Sequence, residues 1–241
     1  MHIDDHFALS TGTAPLDDGR HVQLTVHDLG MVRVPSGLLG ACDPFVALDN
    51  PVIIPIEAGD YPVYVTVADV SEEQDGSHPR EAYLSLLFSR EPSVSVTAAT
   101  GINGTPPPDE FSFVGVDSGT VAFVDSEAVL RSMPEDVANW QPLVFETGAS
   151  DDWFSIMDAD EPHGYGFANI VMPRATAGEN VVLSHSGWGD GVYPVLETRD
   201  AGGALTGIHI DLQVVGRFEE PPAPSDAAPT RRSWIARLLG R

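Results

Sequence analysis

Two segments of the sequence carry similar runs of residues, GDYPV at residues 59–63 and GDGVYPV at residues 189–195, which has two additional residues before its tyrosine. Each segment is followed by a turn and then by a further apolar stretch, at residues 81–88 and 205–215. A repeated order of elements is typical of duplicated structural units. We therefore predict two related β-rich halves that pack as two sheets or as one pseudosymmetric sheet system. A chance match of so short a motif is the alternative.

Short apolar segments alternate with turns along most of the chain. Residues 21–26 alternate between apolar and polar side chains, and residues 61–68 are rich in Val, Tyr and Thr, which are both strand patterns. The 20 Pro and 23 Gly residues fit many short elements joined by turns. The expected fold class is mainly β (α+β), with antiparallel sheets and one or two short helices.

The best helical segment follows Ser126, whose hydroxyl is expected to cap a helix running from Glu127 towards Ala138. A second short helix is predicted within the acidic stretch of residues 140–165.

The composition of the chain changes near its C-terminus, where Pro and Ala and then Arg become frequent. We predict a mostly-β globular domain at residues 1–217, a Pro/Ala-rich linker at 218–230 and a basic amphipathic tail at 231–241. Trp234 and Leu238 share one helical face of this tail. The tail is expected to dock on a partner protein or on the chain's own acidic body, with weak contact to an anionic membrane surface as a third alternative.

The charge of the chain restricts its partners. Asp and Glu number 36 against 12 basic residues, all of them Arg, which gives a net charge of −24. This charge repels nucleic-acid backbones and favours a basic protein partner, a divalent cation such as Ca²⁺ or Mg²⁺, or solubility alone. The sequence contains no apolar run of about 18 residues and so predicts no transmembrane span. The polar N-terminus and the single Cys42 favour a cytoplasmic location.

The glycine-rich stretch at residues 185–191 is the leading candidate for a binding loop. Trp188 and Tyr193 are predicted to form an aromatic floor for a ligand or partner, or else to cover the edge of a sheet. Ser186 lies beside His185 and near Asp190, which are the residue types of a nucleophilic triad. Neighbouring residues on a strand point to opposite faces, so this order does not favour a serine hydrolase.

Several aspartates lie at predicted strand ends or turns and form a second candidate site. If they converged on one rim, their carboxylates would suit Ca²⁺ or Mg²⁺ binding or acid/base catalysis. The alternative is that each Asp accepts a hydrogen bond from its own turn. The spacing matches no known cation-binding loop, so we assign no catalytic residue and no metal ligand. The residues concerned are Asp43, Asp60, Asp117, Asp125, Asp190 and Asp211.

Five short motifs are distributed along the sequence: PSG at 35–37, CDP at 42–44, GDYPV at 59–63, VDSG at 116–119 with FVD at 123–125, and the 186–194 loop. Together they resemble a bacterial family known as domain-of-unknown-function family 4241. The resemblance extends over most of residues 28–215, and the loop at residues 186–194 is its most specific part. It implies a predominantly β cytosolic domain and brings no activity, substrate or cofactor.

The leading interpretation of these features is a non-enzymatic acidic binding protein of the cytoplasm, of the immunity or inhibitor type, which neutralises a basic partner. One alternative is a metal-dependent hydrolase that uses the aspartate rim around Asp117 and Asp190. The other is an adaptor that its C-terminal tail recruits to a partner or membrane.

Overall fold

The computed structural model describes residues 2–107 and 110–216. The linker at 218–230 and the tail at 231–241, with Trp234 and Leu238, lie outside these residues. Within the described part, thirteen strands and two α-helices follow one another, with single helical turns at Ile3–Asp5, Val137–Asn139 and Gln141–Phe145. The elements are β1 Gly12–Pro15, β2 His21–Val34, β3 Leu38–Cys42, β4 Val52–Pro55, β5 Gly59–Asp69, β6 Pro79–Leu87, β7 Ser95–Ala98, β8 Ser112–Val116, β9 Thr120–Asp125, α1 Ser126–Ser132, α2 Trp153–Met157, β10 Phe167–Val171, β11 Asn180–His185, β12 Gly191–Arg199 and β13 Leu205–Asp211.

The strands form two antiparallel sheets, which confirms the predicted fold class. The larger sheet has the order β1-β2-β5-β6-β13-β12-β7, with β8 also paired to β12, and the smaller sheet has the order β10-β11-β9-β3-β4. Side chains such as Leu84 and Ile208 from the larger sheet meet Phe123 and Val182 from the smaller sheet in a shared core. The two α-helices and the turn at Gln141–Phe145 cover the other face of the smaller sheet with a second apolar cluster.

The larger sheet contains a local twofold relation between two three-stranded units. Strands β2-β5-β6 are followed by β13-β12-β8 in mirrored order, and β6 meets β13 antiparallel at the centre. The pairing of β2 with β5 also has the same register as the pairing of β8 with β12. Val32 lies opposite Tyr61 in the first pair, and Val114 lies opposite Tyr193 in the second.

The smaller sheet repeats this relation, with β4-β3 on one side and β9-β11 on the other. Each half enters its central strand through a Ser-Gly turn, at Gly37 and Gly119, where the backbone φ is positive. The carbonyl of each turn glycine accepts a hydrogen bond of 2.9 Å, from the Ile56 amide in one half and the Ser186 amide in the other. The duplication predicted from the GDYPV motif is thus present in strand order, register and hydrogen bonding.

The shared motif specifies the start of β5 and of β12. The hydroxyl of Tyr61 donates to the Glu57 carbonyl at 2.6 Å, and that of Tyr193 donates to the Gly189 carbonyl at 2.7 Å. Both rings therefore fold back over the glycine that begins the strand, where a Cβ atom would lie only 3.1–3.2 Å from the ring. This close approach favours glycine at these two positions.

The predicted cap and length of α1 are wrong. Asp125, not Ser126, is the N-cap, and its Oδ1 accepts the Ala128 amide at 2.8 Å. The helix ends at Ser132 because Met133, which precedes Pro134, is extended as a residue before proline prefers to be. The predicted second helix is present as α2. Strands β1 and β7 were not expected from the polar and Pro-rich segments that contain them.

Candidate functional site

Asp43, at the end of β3, is fully buried and binds the turn before β9. Its Oδ2 accepts the amides of Asp117 and Ser118 at 2.9 and 2.8 Å, and its Oδ1 accepts the Ser118 hydroxyl at 2.6 Å. Oδ1 also accepts the Phe45 amide at 3.0 Å. Both oxygens of this carboxylate thus accept hydrogen bonds that hold the turn and the end of β3 in place.

Asp125 is the counterpart of Asp43 in the second half. It is also fully buried, and its Oδ2 accepts the Ser36 amide of the turn before β3 at 2.7 Å. Each half therefore provides the carboxylate that satisfies the Ser-Gly turn of the other. Charged acceptors form stronger hydrogen bonds than neutral ones, so these reciprocal contacts join the halves.

The other aspartates of the predicted rim are spread over different surroundings. Asp117 and Asp190 are exposed, Asp60 lies 3.3 Å from the Nε of Arg33, and Asp211 is buried on β13. Among residues 2–107 and 110–216, no three His, Cys, Asp or Glu side chains are grouped as a metal ion requires. The alternative of a cation site formed by converging carboxylates therefore receives no support from the described part of the chain.

Replacing either buried aspartate by alanine is expected to destabilise the protein strongly. Asp43→Ala and Asp125→Ala each leave buried amides of a turn without acceptors, which costs about 3 kcal/mol or more in unfolding free energy. Urea unfolding of the full chain measures this loss. The exposed Asp190→Ala is the matched control and is expected to stay within about 0.5 kcal/mol of wild type. Equal stability of all three variants would contradict a structural role for the carboxylates.

The two halves differ at the turn before β5 and β12. Ile56 and Ser186 are equivalent because each donates its amide to a turn glycine, and Glu57 and Gly189 are equivalent because each accepts the tyrosine hydroxyl. Ile56 and Glu57 are adjacent in the sequence, whereas Gly187 and Trp188 separate Ser186 from Gly189. The glycine-rich loop predicted as a binding site thus contains a two-residue insertion relative to the first half. The first half forms the same pair of hydrogen bonds without this insertion.

Trp188 shares a cleft of about 600 Å³ with a second exposed aromatic residue, Tyr165. Their exposed fractions are 55% and 60%. Each lies between two glycines with positive φ, Gly164 and Gly166 around Tyr165 and Gly187 and Gly189 around Trp188. These backbone conformations suit glycine and allow both aromatic side chains to project from the loops.

Each aromatic ring of this cleft packs against a neighbouring side chain. The Arg80 guanidinium carbon is 5.4 Å from the centroid of the Trp188 ring, in cation–π contact. The His185 ring lies 5.5 Å from the Tyr165 ring, edge to face. Ser186 donates its hydroxyl to the Gly189 carbonyl at 2.7 Å, so it supports the loop and is not paired with His185.

Trp188 also lines a second cleft, of about 470 Å³. Its acidic lining residues include Asp17, Asp18 and Glu72. Tyr193, predicted to share the aromatic floor, is only 4% exposed and holds the loop from beneath. Trp188 therefore lines both a cleft that contains Arg80 and Glu81 and a cleft in which three carboxylates accompany one arginine, Arg20, which bonds to Asp18 at 2.8 Å.

Sequence reasoning missed Tyr165 and Arg80, which line the cleft with Trp188. One local signal was present, because Gly-Tyr-Gly at residues 164–166 has the same pattern as Gly-Trp-Gly at 187–189. Arg80 had no such signal, since it reaches Trp188 only after β6 has joined the larger sheet.

A separate group of buried polar residues lies on the outer face of the larger sheet. Burial holds the pKa of His209 well below its usual range and lowers that of His6 to about 4. Burial also raises the pKa of Asp211 to about 7, although a hydrogen bond from the Gln213 amide opposes this change. Tyr83 packs beside them, and burial and Asp211 raise the pKa of its hydroxyl.

Asp211→Asn is expected to change how stability depends on pH. With a pKa of about 7 in the folded protein and about 3.9 in the unfolded chain, Asp211 binds more protons when folded, so its contribution falls as pH rises through that window. The two histidines have the opposite dependence but are present in both proteins. The stability of Asp211→Asn relative to wild type should therefore increase between these pH values in urea unfolding. Parallel pH profiles would contradict this assignment.

No helix in residues 2–107 and 110–216 is long and apolar enough to cross a membrane. The predicted tail residues Trp234 and Leu238 fall outside these ranges, so their docking stays a prediction.

Comparison with known proteins gives one match. No curated protein and no solved structure matches the chain significantly. The profile of the family described as "Protein of unknown function (DUF4241)" matches residues 32–210. This range contains the strands from β3 to β12, both buried aspartates and the Trp188 loop. Since the match covers more than half of the sequence, the chain belongs to the DUF4241 family.

Proposed function

We propose that the protein is a non-enzymatic binding protein that engages a positively charged protein partner through the surface around Trp188. The observation that carries this proposal is the pair of exposed aromatic rings, Trp188 and Tyr165, held by glycine-flanked loops in one cleft. Tryptophan and tyrosine contribute disproportionately to binding energy at protein interfaces.

The charge distribution supports a basic partner. The chain carries a net charge of −24, and Asp17, Asp18 and Glu72 line the cleft next to Trp188. Such a surface accelerates association with cationic proteins and selects them over acidic ones. In this arrangement Trp188 is the apolar anchor, and the neighbouring carboxylates contact the cationic groups of the partner.

The polar groups near the loop support binding better than catalysis. Asp43 accepts four hydrogen bonds within the fold, and Ser186 is bonded to a backbone carbonyl. Among the described residues that line this cleft, no nucleophile is hydrogen-bonded to a basic side chain. We assign the protein to the bacterial cytoplasm and to an inhibitor-like or immunity-like role, in which an acidic surface covers a basic protein.

Trp188→Ala is expected to weaken capture of the partner strongly. Immobilised full-length protein should retain a basic protein from an extract of the producing cells at about 50 mM NaCl and release it at about 500 mM, because salt screens exposed charges. Loss of the aromatic anchor should reduce the retained amount at least tenfold, as about 1.4 kcal/mol suffices for such a change. Quantitative mass spectrometry measures the retained protein.

Leu130→Ala is the matched control for this experiment. Leu130 is 73% exposed, on α1 at the outer face of the smaller sheet, so the variant removes an exposed apolar side chain from a different surface. It should retain as much basic protein as wild type. Equal capture by Trp188→Ala, or capture of acidic proteins alone, would contradict the proposed function.

A further inference from the structure

The outer face of the larger sheet contains a cavity of about 460 Å³, away from the Trp188 surface. Its volume falls within the range of small-molecule sites, roughly 300–1,000 Å³. The side chains of β6 and β13 that pack against the smaller sheet are apolar, such as Leu86 and Ile210. Alternation along the strands turns Ser85 and His209 to the opposite face, towards this cavity.

The floor of the cavity is a continuous chain of hydrogen-bonded side chains. His209 Nδ1 lies 2.9 Å from the Ser85 hydroxyl, and its Nε2 lies 3.0 Å from the Thr198 hydroxyl. Thr206 donates to Thr198 at 2.7 Å and lies 2.7 Å from the Ser93 hydroxyl. His209, Thr198, Thr206 and Ser93 all line the cavity. Hydroxyl groups both donate and accept, so this floor can adapt its hydrogen bonds to an occupant.

The N-terminal segment forms one wall and contains an unsatisfied imidazole. His6 lines the cavity with its ring 4.8 Å from that of His209, and neither of its buried ring nitrogens has a hydrogen-bond partner among the described residues. A buried polar group left without a partner costs about 1–3 kcal/mol. His6 therefore has hydrogen-bonding capacity that no described residue uses.

The backbone of this wall is held in an uncommon conformation. Leu9 also lines the cavity and has a φ of 59°, in the left-handed region that non-glycine residues rarely adopt. Its amide donates to the Thr66 hydroxyl at 2.9 Å, which fixes the segment against the sheet. Strained backbone of this kind is concentrated at ligand-binding and other functional sites.

The charges at the cavity favour an uncharged occupant. Its lining contains one cation and one anion, Arg90 and Glu91, in a chain that is otherwise strongly acidic. The lowered pKa of His6 keeps its imidazole neutral near pH 7. Tyr64, whose hydroxyl accepts from Arg90 at 3.3 Å, adds an aromatic surface.

We propose that this cavity binds a neutral polyhydroxylated small molecule, of the size of a mono- or disaccharide. Ligand hydroxyls would bond to His6 and to the Ser and Thr hydroxyls of the floor. The family match begins at residue 32, so the floor from β6 and β13 lies mostly within it and the N-terminal wall lies outside it. This wall would then distinguish the ligand of this chain from those of its relatives.

The test uses the full-length protein labelled with ¹⁵N and a panel of neutral probes: glucose, galactose, ribose, maltose and myo-inositol. At least one probe should shift the imidazole signals of His6 and His209 saturably and leave the exposed His2 unchanged. His6→Ala should weaken that binding about tenfold, the effect of about 1.4 kcal/mol. Ser10→Ala, on the same wall, should weaken it without removing the imidazole.

Two controls make the outcome decisive. His2→Ala, in the same segment, and Trp188→Ala, on the other surface, should both bind the probe as wild type does. Failure of every neutral probe to shift His6 or His209, or binding of glucose 6-phosphate but of none of the neutral probes, would overturn the proposal. Equal affinity of His6→Ala and wild type would also overturn it. None of these results depends on the partner proposed for Trp188.

Discussion

The antiparallel pairing of β6 with β13 is the interaction on which the rest of the structure depends. Ser85 lies opposite His209 there, and the flanking apolar pairs exchange places under a local twofold rotation. A second central pair, β3 with β9, repeats the relation in the smaller sheet. Because Asp43 and Asp125 each satisfy a turn in the opposite half, neither half has a complete set of hydrogen bonds by itself. The duplicated units are therefore interdependent parts of one fold.

The sequence predicted those features that depend on local contacts. Tyr61 and Tyr193 each bond to a carbonyl four residues earlier, so the motif around them is visible within a few residues and revealed the duplication. The partner of Asp43 was not predictable, because Ser118 lies 75 residues away and approaches only when β3 pairs with β9. An aspartate beside Gly or Pro looks the same in sequence whether it binds a cation or a turn.

The differences between the halves point to function. Shared features such as the Ser-Gly turns and the Tyr-Pro-Val strand starts maintain the sheets. Gly187 and Trp188 have no counterpart in the first half and produce an exposed aromatic anchor. Likewise the central pair of the larger sheet is asymmetric, with Ser85 in one half and His209 in the other, and the N-terminal segment covers its outer face. The two surfaces proposed for binding thus lie where the halves differ, while the strand order of the halves is the same.

Deleting Gly187 and Trp188 together tests this account most directly. The deletion gives the second half the loop length of the first, where Ile56 and Glu57 are adjacent. The account predicts a full-length protein that still unfolds cooperatively, within about 2 kcal/mol of wild type, and no longer captures a basic protein. Capture at the wild-type level by the folded deletion variant would contradict it, as would loss of the fold, because the insertion would then belong to the framework.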